Sequence, residues 1–317
     1  MQRLAKHAAL ALAALSTTAL AGCGIEDNLL EPQQPGIITP ESVANAGATG
    51  AVALYTGALG ALQAWECGGG LLTGANNNSQ SICMYSDLLT DVWKTSDTFT
   101  QRIDMDRRVI QANDAEVTGR YGTIQQARGF FRDAILSLKA NAPTETDKIA
   151  EMYWALGLTQ TALAEYFCNG IPLGYTVGGV PEYTKPYTNV EVYNIALAHL
   201  DSASTALGSG TSANTVRVRN AIAVVRGRVL VDLGKFADAA TAVAGVPTSY
   251  QYVITYSQPT VSNAIWQNNY AASSSARYVV GDSVALVQGV ETVIRNAVPF
   301  ASANDPRVPV TGSYKTT

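Results

Sequence analysis

The stretch NAIAVVRGRVLVDLGKFADAATAVAGVP, residues 220–247, decides the fold class. It matches the small, large, glycine, aromatic and small positions of the 34-residue tetratricopeptide repeat at Gly227, Leu230, Gly234, Phe236 and Ala239. Small residues let two antiparallel helices approach closely, a glycine permits the tight turn between them, and Phe236 is expected to pack under that turn. The stretch therefore predicts a tetratricopeptide-like hairpin, with a generic helical hairpin as the alternative.

Hydrophobic periodicity and capping residues predict four more helices before this stretch. The first has Pro40 at its start, where proline is well tolerated. The third begins at the cap Thr144, and a capping box of Thr188 and Glu191 opens the fourth. The four helices are expected at about residues 40–65, 115–140, 144–167 and 188–207.

Two segments lack helical periodicity. The insertion NGIPLGYTVGGVPEYTKPY, residues 169–187, is dense in glycine, proline and tyrosine. After Pro247, β-branched and aromatic residues alternate with polar ones, which favours short strands or an irregular insert, followed by a short helix around residues 283–296. The predicted fold class is therefore mainly α, a tetratricopeptide-like helical-hairpin scaffold with irregular loops and a small β-containing insert after about residue 247.

The N-terminus is typical of a bacterial lipoprotein. Arg3 and Lys6 precede an apolar run that ends in Leu20-Ala21-Gly22-Cys23, which predicts a type II signal peptide over residues 1–22 and lipidation of Cys23. A secreted protein without a lipid is the alternative. Residues 23–38 read as a lipidated tether, and residues 39–317 as the ligand-binding domain.

Charge and cysteine usage exclude several classes of protein. The net charge is −4, and the densest cationic group, Arg102 with Arg107 and Arg108, is interleaved with acids and reads as a solvated face, so no nucleic-acid partner is expected. Cysteines left after Cys23 suit one disulfide in an oxidising compartment; Cys67 with Cys83 is the favoured pair, although the sequence leaves the pairing open. Their spacing fits no metal site.

An enzyme would need groups that the chain barely supplies. His199 is the only histidine beyond the signal peptide, and it reads as a partly buried structural residue on the fourth helix. The sequence contains no nucleophile elbow, phosphate loop or dinucleotide fingerprint. Spatially paired carboxylates remain an open alternative. The expectation is a protein without catalysis and without a cofactor.

Binding chemistry is better represented. Sugars present flat C–H faces that pack on aromatic rings, while amide and charged side chains satisfy their hydroxyls. The insert after Pro247 supplies such residues, as does the loop at residues 75–80 with its asparagines. The candidate ligand-binding residues are Trp266, Tyr270, Tyr256, Asn268 and Asn269, with packing in a small core as the alternative for Trp266 and Tyr270.

Five segments, in this order, resemble the SusD/RagB nutrient-uptake lipoproteins of Bacteroidota and related phyla. They are the lipobox ending at Cys23, ALAEYFCNGIPLGY (162–175), TNVEVYNIALAHLDSASTAL (188–207), RGRVLVDLGKFADAA (226–240) and PFASANDPRVPV (299–310). The family usually continues well beyond the last segment, so the resemblance implies that a C-terminal part is missing.

The resemblance implies a location and a function. The protein would sit on the outer membrane, anchored by lipid and facing the cell exterior, and deliver an oligomeric nutrient to a TonB-dependent, SusC-like porin. A glycan is the first hypothesis for the nutrient and a peptide the second. A third hypothesis, from another class, is a periplasm-facing tetratricopeptide lipoprotein that binds only proteins.

Overall fold

A computed structural model of the chain describes residues 40–69, 81–96, 98–177, 180–271, 276–282, 284–287, 290–293, 297–300 and 302–307. The chain divides into two compact units, Met1–Ser42 and Val43–Thr317. Only residues 40–42 of the first unit are described, so the predicted signal peptide, Cys23 and most of the tether lie outside the described residues. No helix in the described ranges is both long enough and apolar enough to cross a membrane.

The first part of the domain contains three helices, α1 (Pro40–Glu66), α2 (Ile82–Leu89) and α3 (Thr100–Asp106). The predicted first helix is present, with a break at Gly47, where φ is 54°. Small two-residue strands follow α1 and α2, namely β1 (Gly68–Gly69) and β2 (Lys94–Thr95).

Four long helices form the scaffold, and all were predicted from the sequence: α4 (Ala115–Asn141), α5 (Thr146–Tyr166), α6 (Asn189–Leu207) and α7 (Ala213–Asp232). Helix α5 packs against α4, α6 and α7. The Thr188–Glu191 capping box is present, with both reciprocal hydrogen bonds. The predicted cap at Thr144 is wrong, because α5 begins at Thr146 and Glu145 occupies the cap position without a side-chain bond.

The repeat-like stretch folds as a hairpin of α7 and α8 (Phe236–Val243). Gly234 adopts φ 72° in the turn, a conformation that favours glycine. A methyl group on Gly227 would lie 2.6 Å from Val243 Cγ1, so the small residue is what permits this approach. The hairpin is confirmed, but the packing predicted for Phe236 is wrong: its side chain is 68% exposed, since the buried face of α8 is the one that carries Ala239.

Short antiparallel strand pairs complete the fold. The insertion between α5 and α6 forms two pairs, and the segment after Pro247 supplies the predicted β-containing insert. The pairs of the insertion are β3 (Ile171–Pro172) with β6 (Pro186–Tyr187) and β4 (Tyr175–Val177) with β5 (Val180–Glu182). In the later insert, β7 (Ser262–Asn263) pairs with β1 and β8 (Tyr278–Val279) with β2.

The helix predicted around residues 283–296 is wrong. This segment contains a hairpin of β9 (Val284–Val287) and β10 (Val290–Val293), in which Val287 faces Val290 and Val284 faces Val293. Its β-branched residues fit the pleated surface of a strand better than a helix. The mainly α fold class of the domain is unaffected.

The main core lies between α1 and α4 to α7 and contains Phe131, Met152, Trp154 and Leu200. A second, smaller core joins α2 and α3 to the insert, with Met84, Tyr85 and Tyr278 at its centre. The predicted solvated face at Arg102 is wrong, because Arg102 and Asp106 are both buried beside this second core. Arg102 pairs with the buried Glu116 at 3.5 Å, a partner outside its own sequence neighbourhood.

Candidate functional site

A groove rich in aromatic side chains opens where the end of α1, the start of α2, α5, α7 and residues 250–254 meet. Its volume is about 470 Å³, which is within the size range of small-ligand sites. We call it the aromatic groove. Its lining residues are Trp65, Glu66, Ile82, Cys83, Ser86, Trp154, Leu158, Ala162, Tyr166, Ala221, Val224, Val225, Arg228, Tyr250, Tyr252 and Ile254.

The extended segment over residues 250–254 forms one wall of the aromatic groove. Tyr250, Tyr252 and Ile254 pack on the main core, whereas Val253 between them is 67% exposed, as the two-residue period of an extended chain requires. The Tyr252 ring lies 4.3 Å from the Trp154 ring between centroids, and the Trp154 indole N–H donates to the Ala221 carbonyl at 3.0 Å. Three separate elements thus fix two neighbouring rings.

A buried carboxylate holds this wall from behind. Glu151, whose side chain is 1% exposed, accepts from the hydroxyls of Tyr55 and Tyr252 at 2.6 Å each, and its Oε1 lies 2.7 Å from Arg217 Nη1. The Tyr250 hydroxyl donates to the Arg217 carbonyl at 2.8 Å. Burial, and then the charge of Glu151, raises the pKa of Tyr252 well above its usual range, so the hydroxyl stays a donor.

Trp65 lines the aromatic groove and carries a buried hydrogen-bond donor. The residue is 4% exposed, and its indole N–H has no hydrogen-bond partner in the described part of the chain. A buried donor without an acceptor costs about 1–3 kcal/mol, so such groups are uncommon in native proteins. Trp65 lines the groove, but its indole N–H is itself buried, so a ligand oxygen would accept from it only after a small shift of the wall.

Charged groups also line the aromatic groove, namely Glu66 and Arg228. Glu66 accepts from the Tyr256 hydroxyl at 2.8 Å, and burial raises the pKa of that hydroxyl. Arg228 donates two hydrogen bonds to the Glu165 carboxylate. Burial also raises the pKa of Glu165, against the opposing effect of Arg228. The groove therefore combines aromatic faces with both hydrogen-bond donors and acceptors.

A disulfide between Cys67 and Cys83 links the end of α1 to the start of α2, with a Cα–Cα distance of 5.3 Å. This is the pair that the sequence favoured. Cys83 lines the aromatic groove, and Cys67 follows Trp65 and Glu66, so the bridge joins two of its walls. Cys168 is an exposed free thiol at the end of α5.

Three of the ligand-binding residues predicted from sequence lie in different surroundings. Trp266 is 38% exposed and ends the short helix α9 (Ala264–Trp266), just before the π-helix Gln267–Ala271. Asn268 is 1% exposed and donates to the Ala264 carbonyl at 2.8 Å, so it holds the backbone and is inaccessible to a ligand. The Asn269 side chain accepts from the Tyr278 backbone N–H at 3.2 Å.

The other predicted positions differ from one another. Tyr256 supports Glu66 at the edge of the aromatic groove and does not meet Trp266 in any described contact. The Tyr270 side chain and the asparagine loop at residues 75–80 lie outside the described residues. His199 is partly buried, with Nδ1 2.8 Å from Gln160 Oε1, and burial lowers its pKa, which agrees with a structural role.

Sequence reasoning missed the aromatic groove itself. Trp154 lies inside a predicted helix and most of its surface is in the core, and Trp65 stands at the end of the first predicted helix. The available signal was the alternation of two aromatic residues and one aliphatic residue, at Tyr250, Tyr252 and Ile254. Among the described residues no cluster of histidine, cysteine or acidic side chains could hold a metal ion.

The fold and the groove define a helical scaffold protein with an aromatic groove in its surface. No family model and no curated protein matches the chain. Two solved structures are similar to it: surface glycan-binding protein A from Bacteroides fluxus, at 19% identity, and a SusD superfamily protein from Bacteroides vulgatus, at 12% identity. In both cases the TM-score is 0.48, and the match covers 65% of this chain but 45% of the other.

One of these structures bears the name of the family that the sequence resembles. The chain spans less than half the length of either. The assignment of the fold comes from the helix pairs themselves, since a TM-score below 0.5 does not add to it.

Proposed function

We propose that this chain is a lipid-anchored protein of the outer membrane, facing the cell exterior, that binds a glycan in the aromatic groove and delivers it unchanged to a TonB-dependent, SusC-like porin. The lipid would be attached at Cys23, as the lipobox predicts. Binding without chemical change agrees with the absence of catalytic motifs from the sequence and with a histidine engaged in structural contacts.

The buried, unpartnered indole N–H of Trp65 in an aromatic groove is the observation that carries the proposal. A sugar ring offers both of the groups that this environment lacks. Its C–H faces can cover the exposed parts of Tyr250 and Tyr252, and its hydroxyls can donate to Glu66 and, once the wall shifts slightly, accept from Trp65. A purely apolar ligand would leave the Trp65 donor unsatisfied.

Rigidity supports the same function. The Tyr252 ring is held by Trp154 on one side and by Glu151 at its hydroxyl, and the Cys67–Cys83 bridge ties the facing wall. Preorganised aromatic surfaces lose little conformational entropy when a ligand binds. The groove is therefore suited to capture a weakly held, flexible oligomer.

Arrays of glycans and of peptides, probed with the mature protein, test the nature of the ligand. We expect retention on a subset of glycans, with loss on Tyr252→Ala. Phe236→Ala is the matched control, since Phe236 is exposed and outside the groove, and it should bind normally. Retention on peptides alone would favour the peptide-binding alternative and contradict the proposal.

The same array distinguishes the aromatic groove from the Trp266 platform that the sequence suggested. If Trp266→Ala abolishes retention while Tyr252→Ala has no effect, the ligand binds at the half-exposed Trp266. The opposite pattern assigns the ligand to the groove. If both variants are retained as strongly as the wild type, neither site binds the ligand.

Localisation and partner need separate experiments. Protease added to intact cells should cut the protein, and Cys23→Ser should release it from the membrane fraction. Protection from protease would favour the periplasm-facing adaptor. Copurification of a TonB-dependent porin with the lipidated wild type would support delivery, whereas copurification of periplasmic proteins alone would contradict it.

A further inference from the structure

A second cavity lies on another face of the scaffold, between α4 and the strand pairs of the insertion. Its volume is about 460 Å³, and it shares no lining residue with the aromatic groove. We call it the Tyr175 cavity. Its lining residues are Tyr121, Gln125, Gln126, Gly129, Arg132, Asp133, Pro172, Gly174, Tyr175, Thr176, Pro181, Glu182 and Tyr183.

A buried cation lies directly behind this cavity. Arg128 is 1% exposed, and no described carboxylate lies within ion-pair distance of it. Its guanidinium donates to Gln125 Oε1 and, at 3.0 Å, to the Leu173 carbonyl, and it lies 4.6 Å from the centre of the Tyr175 ring. Its Nε–H has no hydrogen-bond partner in the described ranges. Charges buried this deeply are ordinarily paired with an opposite charge.

A second arginine lines the cavity itself. The Arg132 guanidinium lies 5.0 Å from the centre of the same Tyr175 ring, and its side chain is 25% exposed. Its polar contacts are long: 3.4 Å to the Thr176 carbonyl and 3.5 Å to Asp133. A planar guanidinium held this loosely retains donors for a bidentate bond to a carboxylate.

Arg132 is the one cation among the described lining residues, and Arg128 adds a buried positive charge behind them. Asp133 and Glu182 also line the cavity, but both are exposed, so water screens their charges far more than that of Arg128. The charge of Arg128 also acts on His199. It lowers the pKa of that histidine, although burial is the larger cause. An anion on the floor would supply the missing counter-charge.

The remaining lining groups suit a sugar. Tyr183 is 90% exposed and presents a free ring face, and the Tyr121 hydroxyl accepts from the Gln125 amide at 2.9 Å within a polar wall. We propose that the Tyr175 cavity binds a carboxylate-bearing saccharide, with the carboxylate on Arg132 above the buried charge of Arg128 and the sugar ring against Tyr183. The site is independent of ligand binding in the aromatic groove.

A matched pair of ligands tests the role of charge: trimeric galacturonic acid and its fully methyl-esterified form, which share the sugar rings and differ in that each carboxylate is replaced by an uncharged methyl ester. Calorimetric titration of the mature protein should show about tenfold or greater preference for the acid, as expected for a charge-assisted bidentate bond. The preference should shrink as salt is raised, because the Debye length falls. Equal affinity for the two trimers, or no binding of either, would overturn the proposal.

Variants assign the charge to the cavity. Arg132→Gln should remove the preference for the acid and leave the ester unaffected. Arg226→Gln is the matched control, since Arg226 has a similar side-chain exposure of 27% and pairs with Asp201 outside the cavity, and it should keep the preference. Tyr252→Ala should also keep it. If Arg226→Gln has the same effect as Arg132→Gln, or if an acidic peptide competes as well as the acid trimer, the saccharide site is wrong.

Discussion

Replacement of Glu151 tests how the wall of the aromatic groove is held. Its carboxylate accepts from Tyr55 and Tyr252 and pairs with Arg217, and its side chain is 1% exposed. Glu151→Ala removes two hydrogen bonds to a charged acceptor, so the hydroxyls of Tyr55 and Tyr252 both lose the carboxylate that accepts from them. Arg217 is 35% exposed and can be rehydrated, so its loss of a partner adds little. We expect a loss of about 3–5 kcal/mol in the free energy of unfolding.

Urea unfolding of the mature protein, followed by circular dichroism, measures this loss. Glu151→Gln should cost less, about 1–2 kcal/mol, because it keeps one acceptor and the side-chain volume. Glu145→Ala is the control, since the Glu145–Lys148 pair is partly exposed and should contribute within about 0.5 kcal/mol. If Glu151→Ala costs no more than Glu145→Ala, the carboxylate does not hold the wall.

Three further predictions concern the scaffold, the disulfide and the histidine. Gly227→Ala should destabilise the protein by about 1–3 kcal/mol through the contact with Val243, and Gly227→Ala combined with Val243→Ala should recover part of this; a neutral single variant in thermal unfolding would contradict the close approach. Replacing both Cys67 and Cys83 by serine should lower the free energy of unfolding by about 3 kcal/mol, since the bridge spans a separation of 16 residues; an unchanged urea midpoint would refute this. Burial lowers the pKa of His199, so the ring is protonated at a lower pH in the folded state than in the unfolded chain. The stability that the neutral ring contributes is present above about pH 6.5 and is lost as the pH falls below it, so wild type should lose stability relative to His199→Gln; parallel pH profiles would exclude this effect.

Features set by neighbours in the sequence were predictable. The Thr188–Glu191 capping box and the turn at Gly234 depend on residues within one or two helical turns, and both formed as expected. The helix predicted at residues 283–296 failed because a run of valines satisfies a strand better than a helix, and the choice depends on the partner strand. The same limit explains why the sequence placed Arg102 on a solvated face: its burial depends on Glu116, which lies in another helix.

The aromatic groove could not be assembled from the sequence. Glu151 binds two tyrosines that are each about a hundred residues away in the sequence, Tyr55 and Tyr252. The wall therefore exists only once α1, α5 and the extended segment pack together. Trp65 has an ordinary sequence context, and its significance comes from an indole N–H that the fold buries without an acceptor. The Asn268 prediction failed for a related reason, because its amide bonds to the backbone of its own turn.

Calorimetric titration of wild type and Trp65→Phe, with the oligosaccharide retained most strongly in the array, tests the central claim most directly. The substitution keeps an aromatic ring in the groove and removes only the N–H donor and part of the indole. If a sugar oxygen accepts from Trp65, the affinity should fall about tenfold, as for the loss of one buried hydrogen bond. An unchanged affinity in Trp65→Phe, with Tyr252→Ala equally without effect, would show that the glycan does not bind in the aromatic groove.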